Sequence, residues 1–107
     1  CIRVPTMRAH AEAVHITLGR AASEAQVRAA LHGFPGIELV DDRAGNRFPT
    51  SLKASAKHAV LVGRVRPDPS RVQPDGTADA WHLFVAGDQL LKGAALNAVQ
   101  IAERLTA

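Results

Sequence analysis

The sequence has one cysteine, Cys1, no tyrosine, and only one tryptophan and three phenylalanines. A single thiol forms no internal disulfide, and no Cys/His pair stands at zinc-ligand spacing, so the expected metal set is none. So few aromatic rings leave no stacking platforms for nucleic acid, and no nucleic-acid-reading motif appears. No apolar run approaches the ~20 residues that cross a bilayer, which argues against a membrane partner. The opening carries no signal pattern. Also missing are Gly-x-Gly-x-x-Gly after a strand and a glycine-rich Lys-Ser/Thr loop. A nucleotide cofactor would therefore need most of its site on residues outside this sequence.

What is present is 107 residues at 47% hydrophobic. That suffices for one domain with a core that needs neither disulfide nor metal. The sequence starts at Cys1 rather than methionine, which suggests an interior point of a longer polypeptide. A reducing, cytoplasmic setting fits the cysteine usage. Thirteen basic against ten acidic side chains give +3, and ten of the thirteen are arginine. Those from Lys53 to Arg71 are spread through a turn and a strand and read as solvated surface. Arginine also suits small ligands carrying carboxylate or phosphate.

Val14, Ile16 and Leu18 alternate with His15 and Thr17, the period of a strand buried on one face. A link over Gly19 to Ala22 leads to Ser23, which with Gln26 makes a capping box for a short helix ending near Gly33 and Pro35. A strand is expected at Ile37 to Val40, then a polar loop from Asp41 to Ser55. Ala59 to Val65 is apolar on both faces in its first half and so central. A loop from Pro67 to Asp79 separates it from a strand at Trp81 to Ala86. Asp88 stands as N-cap of a closing helix whose stripe Leu91, Ala95, Ala98, Ala102 and Leu105 is expected to be buried, while Asn97, Gln100 and Arg104 form a polar stripe toward solvent or a ligand, solvent being the preferred reading. The sum is an α+β domain with a mixed or antiparallel sheet and helices on one face.

Arg3 and His10 precede the first strand, with Pro5 opposing a continuous helix between them. The pair offers a guanidinium that grips a carboxylate through two hydrogen bonds and an imidazole that exchanges a proton near neutral pH. By spacing alone the preferred reading is structural, an arginine in a surface ion pair and a histidine satisfied by a neighbouring backbone group. His15, His32, His58 and His82 read as structural or solvated, and Asp41-Asp42 as a solvated turn.

The closing segment, "GDQLLKGAALNAVQIAERL", resembles that of aspartate-semialdehyde dehydrogenases. Three further stretches fit the same family in the same order: "CIRVPTMRAHAEA", "FPTSLKASAKHAVLVGRVRPDPS" and "AWHLFVAGD". The resemblance implies a C-terminal domain of the aspartate-semialdehyde and glyceraldehyde-3-phosphate dehydrogenase class. Residues 1 to 87 would belong to the substrate and dimerisation domain. Residues 88 to 107 would form a helix that returns toward a separate NADP-binding part of the same protein.

In this family aspartyl phosphate is attacked by a cysteine thiolate, phosphate leaves, and NADPH reduces the acyl-thioester to the semialdehyde. By resemblance Arg3 holds the substrate carboxylate, His10 is the general acid/base, and Gln89 reaches the NADP near its nicotinamide. Arg8 falls between the matched positions and receives no catalytic role. Cys1 matches a non-catalytic position, so the nucleophile lies elsewhere. Glutamine for the commoner asparagine at Gln89, Leu91 for arginine, and Ser51 within a stretch that often reads Pro-Thr-Pro are the departures from the family pattern.

The resemblance also implies a homodimer formed through the sheet. An isolated chain would then neither bind NADP tightly nor turn over substrate. A stand-alone dimerisation module and a fragment of N-acetyl-glutamyl-phosphate reductase are the alternatives.

Overall fold

A computed structural model describes all 107 residues. The elements run β1 (His10–Ala22), α1 (Glu24–Leu31), β2 (Ile37–Leu39), α2 (Ser51–Ala54), β3 (Val60–Pro67), β4 (Ala78–Gly87) and α3 (Leu96–Thr106). A 3-10 turn (Pro69–Arg71) and a π turn (Leu91–Ala95) punctuate the second half. The sheet order is β1-β4-β3-β2, with β2 parallel to β3 and the other pairs antiparallel. This is the mixed sheet of an α+β domain, and the apolar stretch from Ala59 lies centrally, as its two-faced hydrophobicity requires. No helix is long and apolar enough to cross a membrane.

The capping box forms as the Ser23/Gln26 spacing predicts. Ser23 Oγ accepts from the Gln26 amide and Gln26 Oε1 accepts from the Ser23 amide. So anchored, α1 lays Val27 on Val65, Ala78 and Trp81, with Ile16, Leu18 and Leu83 around them. Trp81 is fully buried and its indole N–H donates to the Ala78 carbonyl at 3.0 Å. A second, smaller cluster gathers Ala9, Ala54, Leu61 and Ala86 beside Val40.

Several expectations shift. The Gly19 to Ala22 link is strand, because β1 continues through an irregularity between Thr17 and Ala22 and pairs again at Ala78. The Asp41 to Ser55 loop holds one helical turn, capped by the Thr50 hydroxyl on the Lys53 amide. Asp41 is not a solvated turn residue. Its carboxylate accepts from the Arg64 and Val65 amides at 2.8 and 3.1 Å and pairs with Arg28. Both amides lie beyond the end of β2, Val65 beside Arg64 at the point where β3–β4 pairing breaks between Gly63 and Arg66 and Arg64 takes a φ of 52°. The carboxylate replaces the missing ladder partner.

The largest difference is the closing helix. Leu91 is half-buried, but Ala95, Ala98, Ala102 and Leu105 are exposed, and α3 packs chiefly on the π turn before it. The amphipathic stripe exists, but this chain contains no surface that covers it. Val99, Ile101 and Leu105 stay 54%, 53% and 81% exposed.

Gly63 shows how tightly the centre is built, since an added Cβ would overlap the Val40 carbonyl oxygen and the Pro49 ring. Val40 is itself tied to β3, because its amide donates to the Val62 carbonyl at 2.8 Å. Gly63→Ala is expected to lower unfolding free energy by about 1–3 kcal/mol or more, as overpacking does. Urea denaturation checks this, and an unchanged midpoint would show that the β2–β3 seam has slack.

Candidate functional site

The site is built where β4 ends, at Asp88-Gln89. Asp88 is completely buried, and its carboxylate collects four donors from three distant parts of the chain. Oδ1 accepts from the Leu90 and Leu91 amides at 2.9 and 3.2 Å, the N-terminal capping that the sequence predicts. Oδ2 accepts from Arg8 Nε at 2.7 Å and from the Ala56 amide at 2.6 Å. Burial pushes this carboxyl up, but the bonds from Ala56, Arg8, Leu90 and Leu91 outweigh it and hold its pKa down to about 2, against an ordinary 3.8.

Gln89 works beside it. Its side-chain oxygen accepts from the Ala9 amide at 2.5 Å, leaving the Nε2 amide group free to donate elsewhere. Ala9 and Ala56, the two alanines held by Gln89 and Asp88, have φ of 74° and 63°. Side chains with a Cβ rarely occupy that region, at a cost of about 1–3 kcal/mol each. The two side chains therefore hold backbone that would relax without them.

His10 follows Ala9 and begins β1, so the Gln89 bond fixes the backbone that carries the imidazole. His10, Glu12, Asp88, Gln89, Lys92 and Gly93 line a cleft of about 290 Å³ that is open to solvent. At its rim the Gly93 amide reaches back to the Asp88 carbonyl at 3.0 Å, the long step that makes the π turn. Such turns recur at functional sites. Lys92 lies across the cleft, with Nζ donating to Gln100 Oε1 at 2.7 Å.

The structure thus brings together two of the three residues singled out from the sequence, His10 and Gln89. Arg3 is not with them. It lies in the exposed arm before β1, with no hydrogen bond or ion pair, and does not line the cleft. Arg8 and Ala56 are the contributors that sequence reasoning missed. An arginine two positions before a predicted catalytic histidine is a signal for Arg8, whereas nothing in the letters marks Ala56.

A larger concavity of about 350 Å³ lies away from this cleft, between Arg43, Arg47, Arg64 and Arg66 and the acidic Glu24 and Asp41. Arg43 is spent there on Glu24 and the Val65 carbonyl. Cys1 is exposed and free, at the far end of the arm from His10.

A family model described as semialdehyde dehydrogenase, dimerisation domain, matches residues 1–92. The aspartate-semialdehyde dehydrogenase of Synechocystis sp. is 46% identical over 105 residues, which is 98% of this chain and 29% of that protein. The Bacillus subtilis enzyme of the same name is 41% identical over 106 residues, again 98% of this chain and 29% of the relative. Among solved structures, aspartate semialdehyde dehydrogenase II from Vibrio cholerae, complexed with ASA, superposes with a TM-score of 0.82 at 42% identity. It covers 97% of this chain and 29% of its own. The Francisella tularensis enzyme, at 22% identity and a TM-score of 0.80, shares the fold. The chain spans under a third of the length of these relatives.

Asp88 makes the site sensitive to acid. Because its folded pKa is depressed to about 2, its contribution is present above the ordinary value near 3.8 and is lost as pH falls through about 2. Thermal unfolding should show stability dropping between about pH 4 and 2. In Asp88→Asn that drop should shrink and the melting temperature at neutral pH should fall. A variant with the parent's acid profile would remove Asp88 from the account.

Proposed function

Because the chain belongs to the semialdehyde dehydrogenase dimerisation-domain family, we propose that it supplies the proton-transferring part of an NADP-dependent aspartate-semialdehyde dehydrogenase. That enzyme carries out reductive dephosphorylation of L-aspartyl 4-phosphate to L-aspartate 4-semialdehyde. The observation that carries the reading is the His10 cleft, an open site whose imidazole-bearing backbone is clamped by Gln89 and the buried Asp88. A solved relative with 42% identity is described as complexed with ASA, which supports a small semialdehyde as the ligand.

In this reading a thiolate from outside the chain attacks the acyl phosphate, the C–O bond to phosphate breaks, and the acyl group stays as a thioester. His10 moves the proton that accompanies formation and collapse of the adduct. Arg3, on an arm with no competing partner, folds onto the substrate carboxylate and binds it through two charge-assisted hydrogen bonds. A bound nicotinamide cofactor supplies the hydride. The fit of this chain to that cofactor is partial. The Gln89 Nε2 group is free to donate to a carboxamide oxygen, but no glycine-rich turn is present to cradle phosphates.

The same reading gives the exposed stripe of α3 a cover, the NADP-binding part of the protein. It also gives the sheet a second copy of the chain as partner, in a homodimer set in the reducing cytoplasm.

The test uses the whole protein that carries this sequence, assayed in the oxidative direction with aspartate semialdehyde, phosphate and NADP. His10→Ala should lower kcat by about 10²–10⁴-fold, the usual worth of a positioned acid/base. Arg3→Leu should raise KM for the semialdehyde by roughly 10- to 100-fold, the worth of a charge-assisted pair of about 1.5–3 kcal/mol. Undiminished turnover in His10→Ala would overturn the proton-transfer role. Preference for the N-acetylglutamate semialdehyde would assign the chain to the related reductase instead.

A further inference from the structure

His15 and His82 are register partners on β1 and β4. Each precedes or follows a member of the Trp81 cluster, so by alternation both side chains leave the sheet on the face turned away from α1. Their rings stand 4.7 Å apart, tilted by 42°. Asp68, just after β3, completes the group from a separate turn. Its Oδ1 accepts from the Ser70 amide and hydroxyl at 2.9 and 2.7 Å, and this turns Oδ2 toward the imidazoles.

Oδ2 lies 3.0 Å from His15 Nε2 and 4.0 Å from His82 Nε2. The Asp68 carboxylate is held in place by the Ser70 hydroxyl and amide on one oxygen and by His15 on the other. His82 is too far for a hydrogen bond to Asp68 and makes no other through its side chain. Two imidazole nitrogens therefore converge on one carboxylate oxygen, and only one of them is within hydrogen-bond distance of it.

We propose that His15, Asp68 and His82 bind a divalent transition metal ion, with Zn²⁺ as the best-matched probe. The donor chemistry is that of imidazole-and-carboxylate sites for such ions. All three donor atoms already lie within 4.8 Å of one another. Ligand bonds of about 2.0–2.2 Å in a tetrahedron place donors roughly 3.3–3.5 Å apart, a spacing that the observed 3.0 and 4.0 Å bracket. Ser70 orients the carboxylate from behind, as outer groups do in built metal sites. His15 and His82 side chains are 47% and 34% exposed in the single chain, so the fourth position is open to water or to a group from a second copy packed on this face.

Arg66 faces His82 in register, but its guanidinium donates to the Arg64 carbonyl at 3.2 Å. The ion would tie edge strand β1 to β4 and to the turn after β3. None of its ligands lines the His10 cleft, so the site stands whether or not the enzymatic reading does.

The test is calorimetric titration of Zn²⁺ into the tag-free whole protein in a Cys1→Ser background with its remaining thiols alkylated, which removes thiol binding. The expected result is one ion per chain, with the melting temperature rising as Zn²⁺ is added. His15→Ala, His82→Ala and Asp68→Asn should each weaken binding by at least about tenfold, and Ser70→Ala by less. His32→Ala and His58→Ala should bind as the parent does. Circular dichroism checks that the half-buried His82→Ala variant stays folded. No binding by the parent, or parent affinity in a folded His82→Ala, would overturn the site.

Discussion

One buried carboxylate holds this domain's functional end together. Asp88 sits in the protein interior with its four hydrogen bonds donated from three separate parts of the chain. An unpaired charge at such a position would be expelled from the fold, so the amides of Ala56, Leu90 and Leu91 and the guanidinium of Arg8 must come to it. Their convergence draws the N-terminal arm, the turn after α2 and the root of the closing helix into one place. Gln89 adds the Ala9 amide, and the imidazole of His10 follows from that placement.

The strain in the site has the same origin. Ala9 and Ala56 occupy left-handed backbone because their amides must point at Gln89 and Asp88. Strain of this kind persists only where the surroundings over-determine it. Here it buries Ala9 against Ala54, Leu61 and Ala86 and leaves His10 at the lip of an open cleft. What lacks support lies farther out: the arm with Arg3 and the apolar side of α3 both end in solvent.

Sequence carried the local decisions well. Ser23 and Gln26 announced a helix start, the two-faced apolar run from Ala59 marked a central strand, and Asp88 was readable as a cap. Each depends on neighbours within a few residues. The Asp88 contacts to Arg8 and Ala56 span 80 and 32 residues, and no spacing rule encodes them. Alanine gives no sign of a positive φ, so Ala9 and Ala56 were silent. Asp41 looked like a solvated turn because the β3 irregularity whose amides it satisfies becomes visible only once strands are paired. His15 and His82 were placed correctly on strands, yet their meeting depends on the β1–β4 register and Asp68 on a loop 53 residues from His15. The α3 stripe shows the reverse case, a periodicity that is present but whose expected burial is not found within this chain.

The central claim is that the cleft organised by Asp88 and Gln89 is this chain's share of a semialdehyde-processing active site. A crystal structure of the whole protein with aspartate semialdehyde bound tests it most directly. The account predicts the aldehyde carbon within hydrogen-bonding reach of the His10 imidazole, through its oxygen or one water, and the substrate carboxylate on the Arg3 guanidinium. A substrate seated away from the His10 cleft, with Arg3 still in solvent, would contradict it.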